Sequence, residues 1–428
     1  ENKTLYSFIF YNFALSFENE MDLFTHTFPN GIRLVHHKIQ SPVGSCGIFI
    51  NTGSRDEEEY EHGLAHFIEH VIFKGTKKRK TYHILSRIDD VGGELNAFTT
   101  KEETCIYASY LIQYFDRALE LLHDITFNSV FPAKELEKEK EVIIDEINSY
   151  KDNPSELIID DFEELIFEGD PMGRNILGTP EKLATFGQKD ILNFINKNYH
   201  TDQMVICSVG QMEGSRVLKI ASKYFKDIPP SHRINGRSPL KPYRPKRVEK
   251  EMDTFQTHIV LGNVAYDMNN PNRLGLVLLN NILGGPGMNS RLNMALRERN
   301  GIAYNIESMH NPYSGTGMFC IYYGTDKENL NRSMKEVDKE LRLLREKKLG
   351  TLQLHKAIRQ LKGQIAIAND NRENLMLSIG RSYLMYNYVD SLDTIYKKID
   401  SLTASDLLRI ANEIFDPGQL SYLIYKQS

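Results

Sequence analysis

Two histidines and a glutamate are spaced for metal chemistry in the first quarter of the chain. His66, Glu69 and His70 stand in the order H-x-x-E-H within the segment GLAHFIEHVIFKGT. The apolar residues around them recur at helical spacing, which predicts a largely buried helix. Residues four apart lie one above the other on a helix, so His66 and His70 can direct two imidazoles at one metal ion. Glu69 flanks the same face, where its carboxylate can reach a water molecule held in the site.

A simpler interpretation is that these side chains serve only the core. A single histidine on an apolar helix face is usually such a core residue. Two histidines and one glutamate together are harder to explain in this way, because buried ionisable groups are costly unless they are paired or bind a metal. We therefore favour a metal site, which for a catalytic zinc requires a third protein ligand and one open position.

A second, acidic helix is predicted over residues 133–150, AKELEKEKEVIIDEINSY. Most of its charges are expected to form a solvated face. Glu139 and Glu146 are seven residues apart and therefore share one face, two turns apart. Glu146 differs from the other acidic residues because it is set among Ile143, Ile144 and Ile147. It is the candidate for the third ligand.

With these motifs the sequence resembles the pitrilysin-type (inverzincin) zinc metallopeptidases, and its length resembles their short, processing-peptidase-like branch. In that family a glutamate ligand follows H-x-x-E-H at the distance that separates Glu146 from His70, and a second acidic residue precedes the ligand by seven, as Glu139 does here. The resemblance implies one Zn²⁺ per chain on His66, His70 and Glu146. It also implies Glu69 as general base and Glu139 as a residue that orients the ligands.

Composition and length limit the other possibilities. A chain of 428 residues is too long for one core, so two or more domains are expected. The net charge of −5 does not favour nucleic-acid binding. Four scattered cysteines suit a reducing compartment, and no apolar run is long enough to span a bilayer. Residues 1–20 lack the pattern of a signal peptide. We therefore expect a cytoplasmic protein without a membrane or nucleic-acid partner.

The order of elements predicts four segments along the chain. Residues 1–20 are expected to be an N-terminal extension outside the core, and residues 21–228 the catalytic zinc-binding domain. Residues 229–250 are rich in proline and basic residues, which predicts an extended, solvated linker. Residues 251–428 are expected to form a second, metal-free domain that supplies substrate-binding residues.

The second half repeats the first. GLVLLNNIL, beginning at Gly275, matches the phase of GLAHFIEHV, beginning at Gly63. Leu278, Asn281 and Ile282 then stand where His66, Glu69 and His70 stand, so the second copy has lost the metal ligands. The predicted fold class is α+β, with two similar domains from an internal duplication. The resemblance implies that they form a clamshell of the metallopeptidase LuxS/processing-peptidase-like type.

The resemblance also assigns substrate contacts. Arg297 and Tyr304, in LRERNGIAY, match a pair that in the family reaches from the second half to hold the substrate carbonyl at the zinc. Such donors stabilise a developing oxyanion. Asn96 and Ala97 resemble an edge-strand segment that binds substrate backbone by strand addition. The implied substrate is an extended peptide or unfolded protein, and the implied active form is a homodimer or a pair with a sister chain.

Three functions remain as hypotheses at this stage. The first is a zinc-dependent endopeptidase. The alternative is a non-catalytic partner subunit of a related heterodimeric peptidase, although such subunits typically lose motif residues that are intact here. A structural zinc domain is disfavoured because structural sites are closed sets of four ligands, usually rich in cysteine. The glycine run at Gly284–Gly287 lacks the lysine and spacing of a phosphate-binding loop, which argues against nucleotide binding.

Overall fold

The chain folds into two β-sheets flanked by helices. The computed structural model describes residues 23–234 and 236–428, so the predicted N-terminal extension, residues 1–20, lies outside the described residues. The first sheet contains six strands in the order β1-β2-β6-β3-β5-β4. Its strands are β1 (Leu23–Thr27), β2 (Arg33–Lys38), β3 (Val43–Ile50), β4 (Glu94–Thr99), β5 (Thr104–Leu111) and β6 (Met204–Gly210).

The second sheet contains five strands in the order β7-β11-β8-β10-β9. Its strands are β7 (Arg247–Met252), β8 (Thr257–Ala265), β9 (Ile306–Tyr313), β10 (Thr316–Thr325) and β11 (Ser421–Gln427). In each sheet one pair is parallel, β2 with β6 and β7 with β11, and the other pairs are antiparallel. Apart from the additional strand β1, the second sheet therefore repeats the first. This repetition confirms the predicted α+β fold with two similar domains.

Helices cover both sheets. In the described residues they are α1 (Leu64–Val71), α2 (Thr81–Asp89), α3 (Phe115–Asn128), α4 (Ala133–Lys151), α5 (Pro154–Ile166), α6 (Pro180–Thr185), α7 (Gln188–Asn198), α8 (Gly214–Phe225), α9 (Arg273–Gly284), a π-helix (Asn293–Glu298), α10 (Leu330–Glu346), α11 (Thr351–Asn369), α12 (Arg372–Tyr386), α13 (Leu392–Asp400) and α14 (Ala404–Ile414). Among these described helices, none combines the length and the apolar character that crossing a membrane requires.

The two halves exchange one helix each. Successive side chains of a strand point to opposite faces, so a sheet that is buried on both sides needs two covering layers. In the first sheet Ile48 packs with helices of the first half, whereas Phe49 packs in a core shared with α12 of the second half. In the second sheet Val260 and Cys320 pack against Phe162 of α5, which belongs to the first half. Each half therefore completes the core of the other.

The segment predicted to be a solvated linker differs from that prediction in two respects. Strand β7 begins at Arg247, inside the predicted linker, and pairs in parallel with β11. Arg233 and Arg237 form salt bridges with Asp56, whose side chain is buried in the first half. A buried carboxylate requires charge partners, and the two arginines provide them. The segment is thus attached to the first domain before it enters the second.

Candidate metal site

The structure brings His66, His70 and Glu146 together. The Nε2 atoms of His66 and His70 lie 3.8 Å and 3.4 Å from Oε2 of Glu146. Each of the three residues offers one ligand atom, and these three atoms lie within 4.8 Å of one another. Among the described residues, no other group of three or more histidine, cysteine, aspartate or glutamate side chains converges in this way. Two imidazole nitrogens and one carboxylate oxygen form a donor set that suits zinc and leaves a fourth position open.

Two packed helices position these ligands. Helix α1 buries Leu64, Phe67 and Ile68 in the core of the first domain, which turns His66 and His70 toward α4. Helix α4 buries Ile143 and Ile147 in the same core. Glu146 lies between these two isoleucines in sequence and projects toward the histidines. The apolar faces of two helices therefore fix the separation of the ligands.

The start of helix α1 is held by a residue that the sequence motifs did not indicate. Both carboxylate oxygens of buried Glu57 accept backbone hydrogen bonds, from Gly63 N–H at 3.0 Å and from Ala65 N–H at 2.8 Å. Gly63 has a φ of 93°, which a residue with a Cβ rarely adopts. Burial raises the pKa of Glu57 to about 8, although the two N–H groups act in the opposite direction. A glutamate six residues before the N-cap Gly63 is not a standard capping pattern, which explains why the sequence did not reveal it.

Glu139 contacts His70 at the ring nitrogen that faces away from Glu146. Its Oε2 lies 3.3 Å from Nδ1 of His70, and its other oxygen pairs with Lys74. A carboxylate on the second ring nitrogen of a histidine fixes the tautomer and orients the ring. The geometry therefore suits the predicted orienting role of Glu139.

The two histidines differ in their electrostatic surroundings. Burial, together with the neighbouring charge of His70, lowers the pKa of His66 to about 4. Burial also acts to lower the pKa of His70, but Glu146, Glu69 and Glu139 together raise that pKa above the ordinary value. The hydrogen bond from His70 lowers the pKa of Glu146. A metal cation bound at these atoms would replace the proton that His70 and Glu146 share.

Glu69 lies on helix α1 near the ligands, but it is not one of the three residues whose ligand atoms converge. Burial raises the pKa of its carboxyl, while Thr99 at the end of β4 and the charge of His70 act in the opposite direction. The nearby charge of Glu146 raises the pKa further. A carboxylate with a raised pKa is a better proton acceptor, as a general base requires.

The predicted substrate-contact residues lie on β4, which packs against helix α1, and in two segments of the second half. Asn96 and Ala97 are on β4, which is an edge strand because it pairs only with β5. Arg297 is on the π-helix, where its Nε lies 3.7 Å from Glu298. Tyr304 precedes β9 and is 72% exposed. Within the part of the chain that the structure describes, neither Arg297 nor Tyr304 forms a hydrogen bond or ion pair with the ligands.

Comparison with known proteins assigns the chain to a family. The family model for insulinase (peptidase family M16) matches residues 33–180, and the model for the peptidase M16 inactive domain matches residues 185–361. Together the two matches cover more than half of the chain. The chain belongs to the M16 peptidase family. The second match includes α9, the helix that contains Leu278, Asn281 and Ile282.

Several relatives of this M16 protein are named as zinc proteases, and another is named as a processing peptidase subunit. The uncharacterized zinc protease YmxG of Bacillus subtilis is 31% identical over 91% of this chain and 95% of its own length. The mitochondrial-processing peptidase subunit beta of Saccharomyces cerevisiae is 29% identical over 91% of this chain and 87% of its own length. The fold matches a crystal structure of a protease from Helicobacter pylori with a TM-score of 0.87 and 21% identity, over 95% of this chain and 100% of that chain.

Proposed function

We propose that this M16 protein is a zinc-dependent endopeptidase that hydrolyses extended or unfolded peptides. The observation that carries the proposal is the convergence of His66, His70 and Glu146 beside Glu69, on two helices packed in one core. One Zn²⁺ per chain would be held by the two Nε2 atoms and the carboxylate of Glu146. The zinc-protease names of the relatives support the same metal and reaction class.

Each side chain has a separate role in the proposed reaction. Bound zinc supplies a Lewis acid and lowers the pKa of a water molecule to about 7. Glu69 takes the proton from the attacking water on its carboxylate and then gives it to the leaving amine. Glu139 holds the ring of His70 in place through Nδ1. The peptide-bond carbonyl is proposed to receive hydrogen bonds from Arg297 and Tyr304 of the second half.

Strand β4 provides the proposed peptide-binding edge. Its outer side has no partner strand in the described structure, and its last residue, Thr99, lies beside Glu69. A peptide that adds to this edge at Asn96 and Ala97 would run toward the ligand set. Only an extended segment can pair in this way, so folded proteins would be poor substrates.

A subunit role is the second candidate, because one relative is named as a subunit of a processing peptidase. The protein would then act as a homodimer or with a sister chain. A purely non-catalytic subunit would not need Glu69 beside an intact ligand set. The presence of both favours the catalytic role.

Zinc dependence and cleavage can be tested on the same sample. The purified protein is measured for zinc by elemental analysis and for cleavage of a quenched-fluorescence peptide library, with mass spectrometry to locate the cut bonds. Removal of metal with a chelator should abolish cleavage, and one equivalent of zinc should restore it. Zinc-loaded protein that cuts no unfolded peptide would contradict the proposed function.

A further inference from the structure

The turn between β4 and β5 contains three charged residues, and all three are buried. Lys101, Glu102 and Glu103 have exposed fractions of only 4%, 3% and 1%. Charged residues in a hairpin turn are normally solvated, since burial of an unpaired charge is costly. Each of the three therefore has a specific charge partner elsewhere in the molecule.

Glu102 connects the two duplicated hairpins. It accepts hydrogen bonds from the backbone N–H of Ser314, at 2.8 Å, and from the hydroxyl of Ser314. Ser314 lies in the turn between β9 and β10, which is the equivalent of the β4–β5 turn in the second half. Arg55 of the first half forms a salt bridge with Glu102 and also donates to the carbonyl of Ser314, at 2.8 Å.

Glu103 connects the same turn to helix α12. Nε of Arg381 donates to Oε1 and Oε2 of Glu103 at 2.8 Å and 2.9 Å, and Nη2 donates to Oε1 as well. Lys101 pairs with Glu163 of α5 at 3.0 Å, and Glu163 also accepts from the hydroxyl of Tyr313 in β9 at 2.6 Å. Glu102 and Glu103 thus contact the second half directly, whereas Lys101 contacts it through Glu163.

We call Arg55, Glu102, Glu103, Ser314 and Arg381 the interdomain cluster.

The same turn is attached to the proposed active site on two sides. On one side it continues directly into β4, whose last residue, Thr99, lies beside Glu69. On the other side the carbonyls of Thr100 and Lys101 accept from the N–H groups of Ser54 and Arg55, at 3.1 Å and 2.8 Å. Two residues after Arg55 comes Glu57, which caps helix α1.

We propose that Glu102 and Glu103 are positioning residues, through which the second half fixes the place of β4 and of helix α1 relative to each other. This inference rests on the proposed function for its effect on turnover, but not for its effect on structure. A buried ion pair adds little to stability on balance, because desolvation offsets the attraction between the charges. It does, however, restrict the geometry in which its partners can sit, and Arg381 binds Glu103 through two nitrogens.

The chain offers a matched control for this proposal. Arg33 of β2 also joins the first sheet to α12, since its Nη1 donates to the carbonyl of Tyr383 at 3.0 Å. It does not contact the β4–β5 turn in the described structure. Arg381→Lys, which keeps the charge but not the two-nitrogen geometry, and Ser314→Ala are compared with Arg33→Lys. These mild changes avoid leaving a buried glutamate without a positive partner.

Hydrogen–deuterium exchange of the zinc-loaded full chain measures the positioning without reference to activity. In Arg381→Lys and Ser314→Ala, amides of β4 and α1 should exchange faster by roughly tenfold, whereas Arg33→Lys should leave these two elements unchanged. The kcat for a cleaved peptide should fall by roughly 10- to 100-fold in the first two variants, with zinc content and KM nearly unchanged.

Two results would separate this inference from the proposed function. Unchanged exchange of β4 and α1 in both cluster variants, or equal acceleration in Arg33→Lys, would overturn the positioning role. A wild-type protein that cuts no peptide would instead overturn the proposed function, and the exchange comparison would still decide the positioning role.

Discussion

A Cβ atom built on Gly380 of α12 would lie 2.1 Å from Cε2 of Phe49 in β3. This close approach presses a helix of the second half onto the first sheet, where Phe49 is completely buried. The two halves are therefore not independent folding units, because removal of the second half would expose the face of the first sheet that contains Phe49.

A methyl group at this contact should destabilise the protein. Gly380→Ala forces the helix or the ring to move in a close-packed core, which costs about 1–3 kcal/mol. Gly363→Ala is the matched control, because Gly363 lies within α11 and a Cβ there would meet nothing within 4 Å. That change should stabilise by about 0.5–1 kcal/mol through helix propensity. Chemical denaturation measures both, and a destabilisation of similar size in the two variants would contradict the packing account.

Several features of this molecule follow from local sequence patterns. The spacing of His66 and His70 places them on one helix face, and the helix predicted over 133–150 is observed as Ala133–Lys151. The phase match of GLVLLNNIL with GLAHFIEHV corresponds to two sheets whose strand orders agree apart from the additional β1. These patterns depend on residues near one another in the chain, where helical and strand periodicity determine the outcome.

Other features depend on partners that are distant in the chain. An apolar helix face shows that α12 must be covered, but not that the covering sheet belongs to the first half. The pair Glu103–Arg381 joins residues 278 positions apart, and no local pattern indicates it. Likewise, the charges of Lys101, Glu102 and Glu103 resemble a solvated turn, and only the folded chain supplies their partners.

Zinc affinity should depend on pH through His70. The pKa of His70 is raised above its ordinary value. As the pH falls below that pKa, a proton increasingly occupies the ring nitrogen that the metal requires. His66, with a pKa of about 4, stays neutral over the same interval. The affinity should therefore fall by about tenfold per pH unit below the pKa of His70, with one proton released per zinc bound. Chelator competition at a series of pH values measures this.

Glu139→Gln provides the control for that titration. The carboxylate of Glu139 contributes to the raised pKa of His70, so its neutral replacement should move the proton competition to lower pH. A zinc affinity that is constant from pH 8 to pH 5 would show that His70 is not a ligand.

The hydroxyl of Tyr304 and the guanidinium of Arg297 should matter for turnover and not for folding. Both side chains are substantially exposed, so Tyr304→Phe and Arg297→Ala should leave zinc content and stability unchanged. Each should lower kcat/KM by roughly 10²–10³-fold, as expected for one lost oxyanion donor.

Tyr82→Phe is the matched control for the tyrosine, since Tyr82 of α2 is 75% exposed and should tolerate loss of its hydroxyl. Wild-type kinetics in Tyr304→Phe and Arg297→Ala would show that neither side chain takes part in the reaction.

The central claim is that Glu69 moves the proton while His66, His70 and Glu146 hold the metal. The most direct test is the turnover of zinc-loaded Glu69→Gln against wild type, with zinc measured in the same samples. The amide cannot accept a proton, so turnover should fall by at least about 10²–10⁴-fold while both proteins retain one zinc per chain. Turnover at the wild-type rate in Glu69→Gln, or loss of its zinc together with its activity, would contradict the claim.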